Sequence, residues 1–293
     1  MTATVRYYLS IMNLRLLTGG DEPILEAFLL KHRDTSMFLR SNIRRCGLNF
    51  RPEPFHATYV GAVRDGRVNG VVAHAWNGMI LVQAPENTEE LALECVKRSG
   101  RRVTGLTGPL EQVKRTRVAL GLTSSPATIE SDEWLYGLDL CELVIPSLLL
   151  DAIVTYRPPL DNERDMLREW RFDYDIEVLG SPASDETRRR STDYLDMQLA
   201  ARNVWVAVEN DRPVSQCGFN AVLPDIVQLG PIYTPPALRG RGYAKVAVAG
   251  SLIAARERGV SRAVLFTDNP SAAQSYEAVG FRREGDYGLV LFK

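Results

Sequence analysis

The sequence has few residues of the kinds that build metal sites or disulfide frameworks. Its 293 residues include four cysteines and three histidines. Cys46, Cys95, Cys141 and Cys217 lie far apart, without a C-x-x-C pair or a histidine spacing typical of zinc. We therefore expect free thiols in a reducing compartment and no bound metal.

A bias toward one sign of charge is also absent. The chain carries 35 Lys and Arg against 36 Asp and Glu, so its net charge of -1 gives no electrostatic reason to expect nucleic acid or an anionic membrane as a partner. No apolar run approaches the roughly 18 residues of a membrane span, and MTATVRYYLSIMNLRLL at the N-terminus lacks the basic start and apolar core of a signal peptide. These absences predict a soluble cytoplasmic protein.

An internal repeat is present instead. The segments VGAVRDGRV and VAVENDRPV both have the pattern of a β-hairpin, with Asp65 and Asp211 at matching turn positions. Each hairpin is followed by a strand, a helix, a strand, a short helix and a last strand. The shared order predicts two domains of one α/β (α+β) architecture, residues 1–148 and 149–293. Chance similarity between two ordinary α/β halves is the alternative.

A glycine-rich turn precedes the long helix of the second half. In LRGRGYAKVAVAGSLI, Gly240 and Gly242 allow the backbone to approach a ligand closely. The unpaired N–H groups and the dipole at a helix N-terminus favour an anion. The segment thus predicts a phosphate-bearing ligand, and a plain loop with solvated arginines is the alternative.

The surrounding sequence resembles a known family. The segment GPIYTPPALRGRGYAKVAVAGSLIAARERGVSRAVLFTDNPSAAQSYEAVGF is similar to the core of the GNAT superfamily of N-acetyltransferases, and Arg239, Gly242 and Ala244 fit its Gln/Arg-x-x-Gly-x-Gly/Ala signature. The resemblance is specific over residues 230–281 and weaker over 156–229. In residues 1–148 it rests mainly on the repeat. It implies two GNAT-like domains, each a mixed, largely antiparallel sheet with helices on both faces, and acetyl-coenzyme A as acyl donor.

The resemblance also implies a donor site. In the family, backbone N–H groups of the glycine loop hold the pyrophosphate, and a splayed strand pairs with the pantetheine arm. Here the Ile232 N–H would polarise the thioester carbonyl. The residues that the resemblance assigns to the cofactor are Ile232, Tyr233, Thr234, Arg239, Gly240, Arg241, Gly242, Tyr243, Ala244, Asn269, Ser275 and Tyr276.

The acid and the base of the reaction are unequally defined. Tyr276 lies where many family members carry the tyrosine that protonates the departing sulfur, and aromatic packing is its alternative role. The base is left open, because Gln228 stands where histone-type members have a glutamate. Asp225 and Glu209 are nearby but at turn positions, and a water chain or a partly neutral substrate would also serve.

The first half lacks both the glycine loop and the tyrosine acid. The segment ENTEELAL replaces the glycine loop and places Glu86, Glu89 and Glu90 where phosphate would approach, although such acids also suit an ordinary helix start. Arg117 stands at the Tyr276 position. We interpret this half as a degenerate copy that packs beside the active domain and shapes or covers the acceptor groove. Candidates for that surface, with core packing as the alternative, are His74, Trp76 and Trp134.

Together these features predict an acetyl-coenzyme A-dependent N-acetyltransferase that transfers the acetyl group directly to a primary amine of a small molecule or a protein. The alternative is a non-catalytic sensor of coenzyme A, in which the first domain relays occupancy to a partner. The pattern does not identify the acceptor or the oligomeric state.

Overall fold

The computed structural model describes residues 13–293, so most of the N-terminal segment considered above as a possible leader lies outside them. The chain forms two compact units. The first comprises the residues up to Glu130 together with Gly288–Lys293, and the second comprises Ser131–Tyr287. Within the described residues, no helix is both long enough and apolar enough to cross a membrane.

The first unit is a mixed sheet with helices on both faces. Its elements are β1 (Asn13–Leu16), α1 (Glu22–Leu29), α2 (Met37–Cys46), β2 (Ala57–Arg64), β3 (Arg67–Ala75), β4 (Met79–Gln83), α3 (Thr88–Ser99), β5 (Gly105–Pro109) and α4 (Leu110–Ala119). Strands β1 to β4 pair antiparallel in sequence order, and β5 is parallel to β4. The helices explain why β2 and β3 are apolar almost throughout, because α1 and α2 bury one face of the sheet and α3 and α4 bury the other.

His74 is part of this core. It is fully buried on β3, and its imidazole contacts the Ser99 hydroxyl at 2.6 Å. Burial and the nearby Arg101 lower the pKa of His74 to about 4. The side chain is therefore a neutral core histidine, and it does not line a groove as the sequence allowed.

The second unit repeats this arrangement. Its elements are β6 (Ala127–Asp139) from Ser131 onward, α5 (Ser147–Leu150), β7 (Thr155–Arg157), α6 (Arg164–Glu177), α7 (Asp185–Ala200), β8 (Val204–Glu209), β9 (Arg212–Val222), β10 (Ile226–Tyr233), α8 (Tyr243–Glu257), β11 (Arg262–Thr267), α9 (Pro270–Glu277) and the start of β12 (Arg282–Phe292). Strands β7 to β10 pair antiparallel in sequence order, and β11 is parallel to β10. The predicted fold class is confirmed, and the two halves share one order of elements and one pattern of pairing.

The last strand of each sequence repeat pairs with strands of the other repeat. In the second unit β6 pairs antiparallel with β11, from Trp134 opposite Thr267 to Asp139 opposite Arg262. In the first unit the end of β12 lies beside β5, and the Phe292 N–H donates to the Thr104 carbonyl at 2.9 Å. The sequence places the domain boundary after residue 148, whereas the second unit already begins in the middle of β6. A cut after residue 148 would therefore remove one strand from each unit.

Candidate active site

Two neighbouring strands of the second unit separate part of the way along. Strand β10 pairs with β11 only from Ile226 to Gln228. Beyond that point β10 continues against β9 as far as Tyr233, and β11 continues against β6 as far as Thr267. The sheet thus opens into a V-shaped gap, and the C-terminal half of β10 has a backbone edge that β11 does not cover. This is the strand that the resemblance assigns to pantetheine.

The glycine loop lies at the start of α8 in the conformation that its glycines permit. Gly242 is the N-cap of α8 with φ of 82°, and Gly240 has φ of 76°. The first bond of the helical ladder runs from the Lys245 N–H to the Gly242 carbonyl at 3.1 Å. Within the part of the chain that the structure describes, the N–H groups of residues 240–244 have no acceptor. Five consecutive donors at a helix N-terminus form an anion-binding arrangement.

The Arg239 side chain braces this loop against α6. Its two Nη atoms donate to the two carboxylate oxygens of Glu177 at 2.6 and 2.7 Å, and its Nε donates to the Thr234 carbonyl at 2.9 Å. The guanidinium holds the pKa of Glu177 below its usual range. In this geometry the guanidinium is occupied, and the Arg239 N–H donates to the Pro236 carbonyl at 3.3 Å, so the free donors of the loop begin at Gly240 rather than at Arg239 as the resemblance implied.

The other side chains of the donor segments also bond within the protein. The Tyr243 hydroxyl donates to Glu209 at 2.8 Å, and Arg241 reaches the Ala237 carbonyl at 3.4 Å. The Ser215 hydroxyl of β9 donates to the Tyr233 carbonyl of β10 at 3.1 Å and lies 2.8 Å from the Thr234 hydroxyl. Ile232 is half-buried against the core beneath α8. Glu209, a candidate base, is therefore engaged with the start of α8.

Helix α9 carries the remaining predicted residues. The Asn269 side-chain oxygen caps the helix by accepting from the N–H groups of Ser271 at 2.9 Å and Ala272 at 3.2 Å. This leaves only the amide nitrogen of Asn269 for a ligand. The Ser275 hydroxyl donates to the Ser271 carbonyl at 3.3 Å, which favours a structural role for Ser275.

Tyr276 is half-buried near the gap between the strands. Its ring packs edge-on against Phe281, with the centroids 6.2 Å apart. Among residues 13–293 its hydroxyl has no hydrogen-bond partner. Burial, and then the nearby Tyr174 phenol, raise the pKa of Tyr276 well above its usual value. The phenol therefore stays protonated at working pH, as a proton donor must.

Neither Gln228, which stands where histone-type members have a glutamate, nor the candidate Asp225 can act as the base. Gln228 is only 3% exposed, and its side-chain oxygen has no partner among the described residues. Asp225 precedes β10, and its backbone carbonyl accepts from the N–H groups of Ser261 and Arg262. A strand rises about 3.3 Å per residue, so Asp225 lies roughly 20 Å from Ile232 at the opposite end of β10.

A carboxylate that the sequence did not single out lies beside the end of β11. Glu133 is on β6, one residue before the Trp134–Thr267 pair, and the Ser131 hydroxyl, on the same face of that strand, donates to Asp268 at 2.9 Å. Burial and then Asp268 raise the pKa of Glu133 to about 7. No motif marks this residue, and the repeat assigns its strand to the first domain. The signal became visible only with the pairing of β6 and β11.

Buried polar side chains line the same side of the second unit. On α6 the Arg171 guanidinium binds Asp175 at 2.6 Å, and on α7 the Tyr194 hydroxyl donates to Asn220 at 2.7 Å. In the second unit, the buried side-chain polar atoms without a partner in the described chain belong to Gln198, Gln216 and Gln228. A separate cleft of about 630 Å³ opens in the first unit, between the end of α2 and the start of β2, and contains none of the residues of the donor site.

Comparison with known proteins gives a consistent result. Residues 164–281 match the model of the acetyltransferase (GNAT) family. A mycothiol acetyltransferase from Nocardia farcinica is 27% identical over 186 residues, which are 59% of this chain and 58% of that protein. The match thus spans a little over half the length of this curated relative.

Solved structures share the fold over nearly the whole chain. A family member from Kribbella flavida has a TM-score of 0.57 at 15% identity, covering 89% of this chain and 94% of that one. A tandem GNAT protein from the clavulanic acid biosynthesis pathway has a TM-score of 0.52 at 12% identity, covering 96% and 97%. At such identities the similarity supports the two-unit fold alone.

Proposed function

Because residues 164–281 belong to the GNAT acetyltransferase family, we propose that this chain transfers an acetyl group from acetyl-coenzyme A directly to a primary amine of a small molecule or a protein. The observation that carries the proposal is the row of free N–H groups at residues 240–244 beside the gap between β10 and β11. A phosphate-bearing donor with an extended arm fits such a pair of features.

The residues present fit this donor. A Cβ added at Gly240 would meet nothing within 4 Å, so the loop is open on that side, and the positive φ of both glycines aims successive N–H groups outward. When bound, acetyl-coenzyme A would supply an activated acetyl thioester. The exposed edge of β10 would pair with the arm, and Asn269 would donate to it through its amide nitrogen.

The residues at the gap divide the remaining work. The Ile232 N–H polarises the acetyl carbonyl, and Tyr276 holds a proton that its phenol gives to the departing sulfur. The buried ring of Tyr276, packed on Phe281, fixes the direction of its hydroxyl. Positioning of the two reactants accounts for the rest of the rate enhancement.

The first unit is proposed to bind no donor. Its equivalent helix α3 also has a left-handed N-cap, Asn87 with φ of 57°, but glutamates replace the glycine loop. The Nε and Nη2 atoms of Arg115 donate to the two carboxylate oxygens of Glu89, at 2.7 and 2.6 Å. Carboxylates in the first turn suit the helix dipole and repel phosphate.

The proposal is tested with the intact chain. Release of coenzyme A thiol from acetyl-coenzyme A is followed with a panel of primary amines that includes glucosamine, a lysine peptide and, since the curated relative is named a mycothiol acetyltransferase, an amine precursor of mycothiol. Amine-dependent release with formation of an acetylated product is expected. Saturable donor binding without any amine-dependent release would support the non-catalytic sensor instead.

A further inference from the structure

We propose that Glu133, on a strand that comes from the first sequence repeat, is the general base that removes the proton from the acceptor ammonium. The proposal rests on the proposed function, and it adds a catalytic residue that neither the family motif nor the repeat indicates.

The alternation of β6 puts Glu133 on the acceptor side of the sheet. Trp134, Tyr136 and Leu138 contact the core beneath α8, so the residues between them face the opposite side. Val227 and Leu229 contact the same core, which turns Gln228 to that opposite side as well. Helices α6 and α7 cover this side around the cluster of Leu167, Trp170 and Leu195. Glu133 therefore faces the side of the sheet on which α6 and α7 pack.

Tyr174 of α6 interacts electrostatically with both Glu133 and the proposed acid Tyr276. Burial, and then smaller effects that include the charge of Glu133, raise the pKa of Tyr174 to about 12. Tyr174 in turn acts on Tyr276. The three groups thus form one electrostatic cluster, with the proposed base and the proposed acid contributed from opposite faces of the sheet.

Buried amides on this side indicate that a polar ligand binds there. Gln216 is 1% exposed and Gln228 is 3% exposed, and within residues 13–293 neither amide group of Gln216 nor the oxygen of Gln228 has a partner. Gln216 is next to Cys217, which contacts the core beneath α8, and it pairs with Val206 of the opposite cluster. Gln216 therefore faces the same side as Gln228. Buried polar groups normally have hydrogen-bond partners. The unpaired amide atoms of Gln216 and Gln228 are therefore available to a polar amine substrate that reaches Glu133.

The proton balance assigns a task to each group. The acceptor ammonium loses two protons as its nitrogen becomes an amide. The Glu133 carboxylate takes the first, which frees the nitrogen lone pair. The carbon–nitrogen bond then forms and the carbon–sulfur bond breaks, with the sulfur taking the Tyr276 proton. The resulting phenolate takes the second proton from nitrogen, and Glu133 returns its proton to solvent.

The groups around Glu133 set the pH at which it acts. Asp268 after β11 acts on Glu133 directly, and Tyr174 on α6 interacts with it. Around Tyr174 lie Arg171 on α6, Tyr194 on α7 and Tyr276 on α9, and Arg283 of β12 lies over the ring of the neighbouring Trp134 at 5.2 Å. Burial and Asp268 favour the protonated acid, so Glu133 changes charge near pH 7. A base must be ionised, and kcat/KM is therefore expected to rise about tenfold per pH unit below 7 and to level off above it.

The test compares wild type, Glu133→Gln, Glu133→Asp and the control Asp139→Asn. Asp139 lies on the same face at the other end of β6 and pairs with Arg262 at 3.0 Å. The kcat/KM for glucosamine and for ethanolamine, two amines of different basicity, is measured against pH. Glu133→Gln should lose about 100-fold at pH 8, and its remaining rate should follow the ionisation of each amine. Glu133→Asp should retain part of the wild-type rise of kcat/KM with pH, and Asp139→Asn should retain all of it.

A second readout needs neither donor nor turnover. The intact chain labelled with ¹³C at the glutamate carboxyl carbons should show one resonance titrating near pH 7, and Glu133→Gln should lack it. The inference is overturned if the wild type is active and Glu133→Gln has the same rate and the same dependence of kcat/KM on pH. It is also overturned if the resonance that disappears in Glu133→Gln titrates below pH 5. Failure of the proposed function is a different result, namely a wild type that releases no thiol with any amine.

Discussion

Gly242 provides the sharpest test of the donor site, because two separate effects of one methyl group can be measured. Gly242 has φ of 82°, and a Cβ added there would lie 3.3 Å from Leu148 Cδ1. An L-residue in left-handed conformation costs about 1–2 kcal/mol. We expect Gly242→Ala to lower the free energy of unfolding by that amount. Leu148, a flexible side chain, can move by the few tenths of an ångström that the methyl requires.

The effect on donor binding is separate from the backbone cost, which the folded protein carries with or without the donor. A methyl at Gly242 would stand where the backbone meets the pyrophosphate, and it would move the N–H groups on either side. We expect the Kd for acetyl-coenzyme A to rise at least about tenfold, which corresponds to about 1.4 kcal/mol. Isothermal titration of the intact chain measures the Kd, and urea unfolding measures the stability.

Gly259→Ala is the matched control. Gly259 has φ of 92°, and a Cβ there would meet nothing within 4 Å. It follows α8, whose 15 residues separate it from Gly242 by about 22 Å. The control should lose similar stability and keep the wild-type Kd. Equal donor affinity of the two variants, at equal loss of stability, would refute the assignment of the loop.

Three further predictions follow from individual side chains. Tyr276→Phe should lower turnover about tenfold or more and leave donor affinity nearly unchanged, whereas the control Arg117→Ala should alter neither. If chemistry limits the rate and Tyr276→Phe turns over as fast as wild type, the acid role is contradicted. Arg239→Ala and Glu177→Gln should each raise the donor Kd by a similar few-fold factor, because each breaks the same exposed Arg239–Glu177 ion pair, worth about 0.5–1 kcal/mol. An effect of Arg239→Ala alone would indicate that its guanidinium contacts phosphate directly. His74 has a folded pKa of about 4 against 6.5, so the unfolded chain binds its proton first and up to about 3 kcal/mol of stability is lost as pH falls from 6.5 to 4. The stability difference between wild type and His74→Asn, measured by urea unfolding, should narrow over that range, and a constant difference would exclude the effect.

Much of the fold was predictable because its signals are local. Hairpins with polar turns, the glycine pair before an Ala-rich helix, and the order of elements repeated in both halves are all encoded within short segments. The positive φ of Gly240 and Gly242 and the N-cap position of Gly242 follow from the same residues that suggested an anion site. Family recognition used these segments as well, and the match over residues 164–281 confirms it.

Other predicted residues depend on partners that a segment does not show. Asn269 carries the right amide, yet its oxygen is used to cap α9. The Arg239 guanidinium, placed in a phosphate loop by sequence, binds Glu177 from a helix far away in the chain. Side chains of this kind have several possible partners, and only packing selects one.

Short segments of the sequence were enough to predict the hairpins, the repeat and the glycine loop proposed to hold the donor, since each depends on backbone preferences and apolar periodicity within a few residues. The tertiary structure alone decided which strand lies beside β11, because a β-strand presents the same donors and acceptors to any neighbour and pairing is settled by long-range packing. That choice brings Glu133 from the first repeat into the second unit and buries it near Asp268. A pKa near 7 arises from desolvation and neighbouring charge, which exist only once the chain has folded.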